Sequence, residues 1–173
     1  MNVYYLEMPS PIGKLTLTCD GKALTAVHMD CGPIKLPKDA KRGHALLEKA
    51  REQLNEYFQG KRTEFDLPLA AQGTEFQRKV WARLCEIPFA KTASYGDVAK
   101  KVGNAKASRA VGLANGRNPI GIIVPCHRVI GANGTLTGYG GGLERKQWLL
   151  DHEKQIGAHR VSDGIGANTR LKS

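Results

Sequence analysis

Apolar and polar residues alternate over three short stretches near the start of the chain, and such alternation predicts β-strands. The stretches are residues 3–7, 14–19 and 23–28, separated by turn-forming residues at 10–13 and 20–22. Because the connections are short, we expect the three strands to form an antiparallel meander.

A helical spacing of apolar residues follows the strands. It is carried by Ala45, Leu46, Ala50, Leu54, Tyr57 and Phe58. Gly60 is placed to end this helix, and residues 66–73, which include Pro68 and Gly73, have the composition of a linker.

The second half of the chain has the start and stop signals of three consecutive helices. Thr74 to Gln77 form a capping-box pattern before a helix that should bury Phe76, Val80, Trp81 and Leu84 and end at Ile87-Pro88. Ser94 can cap a second helix that runs to Val102, and Gly103-Asn104 separates it from a third helix over 105–115. Two short helices around a glycine-containing turn are typical of a helix-turn-helix, although the same pattern also occurs in ordinary helical packing.

The third predicted helix is built almost entirely of small residues. Besides these it carries only Lys106, Arg109, Val111 and Leu113. Small side chains permit close approach, either of another helix or of a nucleic-acid groove, and the helix alone does not separate the two interpretations.

Charge raises the second interpretation to an equal footing with the first. The 173 residues carry a net charge of +10, and residues 74–153 hold 12 basic and 6 acidic side chains, a net +6. A basic excess of this kind suggests a polyanionic partner. We expect a β-rich domain over 1–73, a DNA-binding domain over 74–153 and a flexible tail over 154–173.

The four cysteines are scattered, and no C-x-x-C pair is present. This argues against a zinc ribbon or a disulfide framework. The chain also has no apolar run long enough to span a membrane and no leader pattern at its start. We expect a cytoplasmic protein with reduced thiols.

Cys126 stands out by its surroundings. An apolar, β-like run over 120–124 leads into Pro125, which fixes the backbone immediately before the thiol. His127 and Arg128 follow and could lower the pKa of the thiol or accept its proton, directly or through a water molecule. A buried structural cysteine is the alternative. The glycine-rich segment 131–142 could approach a flat ligand closely, but it lacks the spacing of a nucleotide-binding loop.

Several motifs in the second half together resemble the O6-alkylguanine-DNA alkyltransferases, bacterial type. They are Ser94-Tyr95-Gly96-Asp97-Val98-Ala99, Arg109-Ala110-Val111-Gly112, Asn115-Gly116-Arg117-Asn118-Pro119, Pro125-Cys126-His127-Arg128-Val129-Ile130, Gly138-Tyr139-Gly140-Gly141-Gly142 and Trp148-Leu149-Leu150-Asp151-His152-Glu153. The resemblance covers 74–153 in order and spacing, is looser over 1–73, and does not extend to the tail. It implies an α+β fold: a small N-terminal β-sheet domain, ribonuclease H-like in the family, and a helical C-terminal domain with a helix-turn-helix.

The resemblance also implies a reaction and its residues. Cys126 would accept the alkyl group irreversibly from O6-alkylguanine, and from O4-alkylthymine, in double-stranded DNA after base flipping, once per molecule. Three further catalytic residues are implied, namely His127, Glu153 and Tyr95. Arg109 would fill the space that the flipped nucleotide leaves, and the helix around it would bind DNA through Ala105, Lys106, Ala107, Ser108 and Ala110. The base pocket would be formed and supported by Asn118, Val129, Tyr139, Gly140 and Lys146. No cofactor, metal, membrane or obligate protein partner is expected.

Two other classes of protein remain as alternatives. One is a DNA-binding module without chemistry, against which Cys126, His127 and Glu153 count. The other is a cysteine hydrolase, which would form an acyl-enzyme and turn over, and which would not need Arg109 or a basic helix.

Overall fold

The computed structural model describes residues 2–30 and 34–162, and its first half is built on a four-stranded sheet. The strands are β1 (Tyr4–Met8), β2 (Leu15–Cys19), β3 (Leu24–Met29) and β4 (Lys41–Arg42). Their order is β3-β2-β1-β4; β1, β2 and β3 pair antiparallel, and β4 pairs parallel with β1. The predicted meander is confirmed. The two-residue strand β4 was not predicted, because two charged residues carry no strand signal.

Helix α1 (Ala45–Phe58) packs against β1 and β2. It begins after His44, whose ring nitrogen Nδ1 accepts a hydrogen bond of 3.0 Å from the backbone of Leu46. It ends near Gly60, whose φ of +76° is readily available only to glycine. The buried face of α1 ends at Tyr57, which is fully inaccessible to solvent.

The second half consists of four helices and a small sheet. The helices are α2 (Glu75–Leu84), α3 (Tyr95–Lys101), α4 (Ser108–Gly116) and α5 (Leu143–Ser162). Strands β5 (Ala93–Ser94) and β6 (Val129–Ile130) pair parallel. The capping box at Thr74 and Gln77 is confirmed, and Ser94 and Asp97 form a second one at α3. Helices α2, α3 and α4 pack together, and the ring nitrogen Nε1 of Trp81 donates a 2.8 Å hydrogen bond to the carbonyl oxygen of Ala114.

Helix α4 begins later than the pattern of small residues predicts. Its first residue is Ser108 rather than Ala105. The side-chain oxygen of Asn104 accepts a 3.1 Å hydrogen bond from the backbone of Lys106, and the carbonyl of Asn104 accepts one of 3.0 Å from the backbone of Ala107. These local bonds form a turn that competes with the first helical turn.

The apolar run over 120–124 is not a strand beyond one bridge between Ile120 and Val27. The chain turns at Ile122, which has a φ of +73°. All five residues are nevertheless buried. The β-branched, apolar character of Ile120, Ile122, Ile123 and Val124 therefore reflects burial rather than pairing in a sheet.

Helix α5 corrects the expectation of a flexible tail from residue 154. The helix continues to Ser162, because its last turns pack on the first half of the chain. Ile156 lies against Gly60, and the guanidinium of Arg160 donates a 3.2 Å hydrogen bond to the carbonyl of Gly60. These contacts stabilise the last turns of α5, after the amphipathic stretch 143–153 for which the sequence does predict a helix. Residues 163–173 lie outside the described part of the chain.

The two halves join along the edge of β3. Val27 of β3 bridges to Ile120, and its backbone donates a 3.0 Å hydrogen bond to the carbonyl of Pro119. The segment that leads to Cys126 therefore extends the N-terminal sheet. Within residues 2–30 and 34–162, no helix is both long and apolar enough for a membrane span.

Candidate active site

Cys126 is at the start of a 3₁₀ turn, Cys126–Arg128, and is 5% exposed. It lines a cavity of about 160 Å³. Side chains from both halves of the molecule surround this cavity, among them Met29 of β3, Asn118 and Tyr139. The thiol is thus buried, but it adjoins a space that can admit a small group.

Asn118 ties down the backbone in front of the cysteine. Its amide nitrogen donates hydrogen bonds to the carbonyls of Val124 (2.9 Å) and Ile120 (3.4 Å), and its amide oxygen accepts one from the backbone of Ile120 (3.0 Å). These bonds span the turn at Ile122, whose positive φ is rare for a β-branched residue. The side chain of Asn118 therefore sets the path of the chain into Pro125 and Cys126.

The thiol of Cys126 is protonated at rest. Burial raises its pKa, and a hydrogen bond with Asn118, the positive charge of Lys146 and the hydroxyl of Tyr139 oppose that effect only in part. Since only the thiolate is strongly nucleophilic, a base must remove the proton before Cys126 can react.

Glu153 of α5 is the centre of a buried network that can supply this base. Its side chain is 1% exposed and receives hydrogen bonds from four residues. Oε2 lies 2.6 Å from Nε2 of His127, 2.7 Å from the hydroxyl of Tyr57 and 3.1 Å from Nη2 of Arg128. Oε1 lies 2.8 Å from Nε of Arg128 and 3.3 Å from the backbone nitrogen of Ala90.

The network holds Glu153 charged and His127 neutral. Burial alone would raise the pKa of Glu153, but His127 and Arg128 lower it well below its usual value of 4.5. Burial lowers the pKa of His127, and the attraction of Glu153 compensates only in part. Neutral His127 therefore donates from Nε2 to Glu153. Its Nδ1 is buried and accepts no hydrogen bond within the described part of the chain, so that atom can take up a proton.

Lys146 and Tyr95 lie together on another side of the site. The ammonium of Lys146 is fully buried and donates to the carbonyls of Val129 (2.6 Å) and Thr137 (2.9 Å). The hydroxyl of Tyr95 donates to the same carbonyl of Thr137 (3.0 Å), and Nζ of Lys146 lies 5.9 Å from the centre of its ring. Both side chains thus contact the segment that follows Cys126.

The glycine-rich segment forms one wall of the cavity through Tyr139, Gly140 and Gly141. A Cβ atom at Gly141 would clash with the sulfur of Met29 and lie 2.9 Å from the ring of Tyr139. Arg145 fixes this wall to the N-terminal domain. Its guanidinium donates to the carbonyls of Gly141 (2.9 Å), Ile12 (2.8 Å) and Asp30 (3.0 Å).

The residues predicted to bind DNA lie outside this pocket, on and just before α4. Arg109 and Ala110 are exposed on the helix, and Leu113, one turn after Arg109, is 65% exposed. The ring of Tyr95 packs beside Gly112 of the same helix. Of the other residues expected to contact DNA, Ala105 and Lys106 are exposed in the preceding turn, Ala107 is the N-cap and Ser108 is the first helical residue.

Most predicted pocket residues are brought together, but sequence patterns missed three neighbours. The sequence indicates Arg128 only as an activator of the thiol, whereas it binds Glu153 and donates a 2.7 Å hydrogen bond to the carbonyl of Ile87. Asn115 donates a 3.2 Å hydrogen bond to the carbonyl of Cys126. For Tyr57 the sequence pattern predicts only a place in the core of a helix. Its partner is 96 residues away in the sequence, so no local pattern could have indicated it.

The described residues contain no group of three or more His, Cys, Asp or Glu side chains arranged to hold a metal ion. At the site itself, the thiol of Cys126 is followed in the chain by a buried imidazole–carboxylate pair, His127 and Glu153.

Comparison with known proteins identifies the family. Residues 75–155 match the DNA-binding domain of 6-O-methylguanine DNA methyltransferase, and residues 3–71 match its ribonuclease-like domain. The chain is 51% identical over 153 residues to a methylated-DNA–protein-cysteine methyltransferase of Methanosarcina acetivorans, covering 87% of this chain and 98% of the relative. It is 50% identical over 157 residues to the enzyme of that name from Mycobacterium bovis, covering 88% and 93%.

A solved structure of Mycobacterium tuberculosis OGT in complex with DNA has a TM-score of 0.83 and 50% sequence identity, and the match covers 88% of this chain and 94% of that one. Both domains and nearly the full length of these relatives are present. The sequence, the fold and the buried thiol site lead to the same result: the chain belongs to the methylated-DNA–protein-cysteine methyltransferase family of DNA-repair proteins.

Proposed function

We propose that this protein repairs DNA by moving the alkyl group of O6-alkylguanine onto its own Cys126, with O4-alkylthymine as a second substrate. One observation carries this proposal: a protonated thiol adjoins a 160 Å³ cavity and precedes a buried His127–Glu153 pair. Family membership supplies DNA as the substrate class.

The thiol of Cys126 loses its proton before the sulfur bonds to the alkyl group. Nδ1 of His127 accepts it through a water molecule, and Glu153, held as a carboxylate, stabilises the imidazolium that forms. The thiolate then attacks the alkyl carbon. A sulfur–carbon bond forms as the bond between carbon and guanine O6 breaks, and guanine leaves with the bonding electron pair.

The leaving guanine carries negative charge that the site must stabilise. Tyr95 would donate a hydrogen bond from its hydroxyl to this charge, turning away from the carbonyl of Thr137 that it now contacts. Lys146 places a positive charge nearby and holds the surrounding backbone. The peptide groups of Cys126, Val129 and Gly140 would read the purine edge, beside the ring of Tyr139.

Access to the buried thiol requires the damaged nucleotide to leave the duplex. Helix α4 presents small residues to the minor groove, and Arg109 would occupy the space that the nucleotide leaves. The turn before α4 contributes Lys106 next to the phosphates. Short side chains carry little base-specific information, which suits a protein that must inspect any sequence.

The two halves of the chain have different proposed roles. Residues 74–153 bind DNA and perform the transfer, and residues 1–73 close one side of the pocket. We place the protein in the cytoplasm, where reducing conditions keep Cys126 available as a free thiol.

The product distinguishes this function from a hydrolytic one. A thioether on Cys126 has no activated carbonyl for water to attack, so each molecule should act once. Incubation with duplex DNA containing O6-methylguanine, followed by intact and peptide mass measurement, should give a mass gain of one methyl group on the peptide bearing Cys126.

The amount of repair should reach a plateau at one equivalent of protein. Cys126→Ser should abolish transfer but retain DNA binding, whereas Cys85→Ser should transfer normally. Turnover beyond one equivalent with unmodified Cys126 would establish the hydrolase instead. Binding to the damaged DNA without any mass gain would establish a recognition module.

A further inference from the structure

One donor to Glu153 comes from the opposite domain. The hydroxyl of Tyr57, in helix α1 of the N-terminal half, donates a 2.7 Å hydrogen bond to Oε2 of Glu153. The same oxygen lies 2.6 Å from Nε2 of His127. Tyr57 is fully buried and Glu153 is 1% exposed, so water does not compete for this bond.

The surroundings of Tyr57 hold its hydroxyl in one direction. Its ring makes edge or tilted contacts with Phe58, Phe65 and Phe89, and with His152 of α5. The carbonyl of Tyr57 accepts a 2.9 Å hydrogen bond from Nε2 of His152. Burial and the neighbouring carboxylate raise the pKa of Tyr57 well above its usual value, so the hydroxyl keeps its proton and acts only as a donor.

We propose that Tyr57 is a positioning residue of the proton relay, which makes the N-terminal domain part of the reacting machinery. Its hydroxyl holds Oε2 of Glu153 against His127 and limits how strongly Glu153 attracts a proton onto His127. This role rests on the proposed function.

The electrostatic consequence has a definite sign. The positive end of the Tyr57 hydroxyl points at the oxygen that also faces His127. Arg128 binds both carboxylate oxygens, and Lys146 adds a positive charge nearby. Removal of the hydroxyl takes away one positive pole and leaves these charges in place. His127 should then bind its proton more tightly, and the pH below which it is protonated should rise.

Loss of the hydrogen bond also lets the carboxylate rotate. Arg128 and the backbone of Ala90 still hold Oε1, but Oε2 keeps only His127 and the second nitrogen of Arg128. A less well-aligned carboxylate holds the ring of His127 less firmly in the orientation that takes up the thiol proton. We therefore expect slower transfer together with a shifted pH profile.

The test is Tyr57→Phe, which removes only the hydroxyl, with Tyr4→Phe on β1 as the control for the same chemical change. Single-turnover transfer from O6-benzylguanine is measured as a function of pH. We expect Tyr57→Phe to slow transfer roughly ten-fold, since hydrogen bonds to charged groups are among the stronger ones. We also expect the acid limb of its profile to move to higher pH, while Tyr4→Phe matches the unmodified protein.

An unchanged rate and acid limb in folded Tyr57→Phe would overturn the proposal. A slower rate with an unmoved acid limb would also overturn it, because that result indicates a structural role alone. If Tyr57→Phe does not fold, 3-fluorotyrosine at position 57 keeps the hydroxyl and strengthens it as a donor. The acid limb should then move to lower pH, and an unmoved limb would count against the proposal.

A second measurement separates this proposal from the proposed function. The protonation of His127 is followed by NMR in the Cys126→Ala background, where no transfer occurs. Tyr57→Phe should raise the pH at which His127 becomes charged, whether or not the protein proves to transfer alkyl groups. Absence of that change would refute the role of Tyr57, whereas absence of transfer by the unmodified protein would refute the proposed function.

Discussion

Arg128 provides a direct test of how the buried network is held together. Its guanidinium is 4% exposed and makes two hydrogen bonds to Glu153 and one to the carbonyl of Ile87. Arg128→Met keeps much of the side-chain volume but removes the charge and all three donors. Glu153 would then be a buried carboxylate with only neutral partners.

The expected loss of stability follows from that burial. Removal of one partner from a buried ion pair typically costs about 3–5 kcal/mol, because the other charge remains desolvated. The matched control is Arg83→Met. Arg83 pairs with Glu86 on the surface, where the two side chains are 46% and 48% exposed. An exposed pair of this kind should contribute at most about 1 kcal/mol.

The free energy of unfolding of both variants is measured by urea titration, with tryptophan fluorescence as the signal. The double variant Arg128→Met/Glu153→Gln should recover part of the loss, because it removes the unpaired charge as well. A cost below about 1 kcal/mol for Arg128→Met would contradict the electrostatic argument. So would a double variant that loses the full sum of the two single changes.

Three further outcomes are expected. Arg109→Ala should slow repair of duplex DNA far more than reaction with free O6-benzylguanine, since only in the duplex must a side chain fill the space of the flipped nucleotide. The control, Arg78→Ala at an exposed position of α2, should change the rates of both reactions equally little. Equal losses of both rates for Arg109→Ala would show a structural role. Gly141→Ala should destabilise the fold by about 1–3 kcal/mol and slow transfer because its Cβ meets the pocket wall, whereas Gly96→Ala, with its nearest contact at 3.7 Å, should be tolerated. The free energy of unfolding should fall as the pH drops below about 6.5, because the pKa of His127 is lower in the folded than in the unfolded chain, so that the unfolded chain binds the proton first. A urea midpoint that does not change between pH 7 and 5 would contradict this.

Sequence patterns predicted correctly those helix starts that are stabilised by residues close together in the sequence. The capping box at Thr74 and the N-cap at Ser94 place the starts of α2 and α3 correctly, because the partners of each cap lie within one helical turn. The same kind of reasoning predicted α5 only as far as Glu153 and missed residues 154–162. Its last turns are held by contacts of Ile156 and Arg160 with a distant glycine, and these contacts leave no periodicity in the sequence.

The same distinction between local and long-range contacts applies to the residues of the site. Cys126 and His127 are adjacent in the sequence, so their association could be inferred from the motif, and the family resemblance implied Glu153. Tyr57 and Met29 could not be found in this way, since they reach the site only when the N-terminal domain packs on α5 and the glycine-rich segment. Sequence patterns thus indicate the reacting groups more readily than the residues that orient them.

The left-handed turn at Ile122 affects when the site becomes ready to react, which matters for a protein that is proposed to react once. A non-glycine residue in this conformation stores strain of the order of 1–3 kcal/mol, and here the three hydrogen bonds of Asn118 span it. The backbone in front of the nucleophile is therefore forced into place when the chain folds, before any lesion is met. A recycling catalyst would benefit from that ordering in every cycle. Under the proposed single transfer to Cys126, each act of folding would prepare one nucleophile for one lesion, and the rate at which new chains are made would set the capacity for repair.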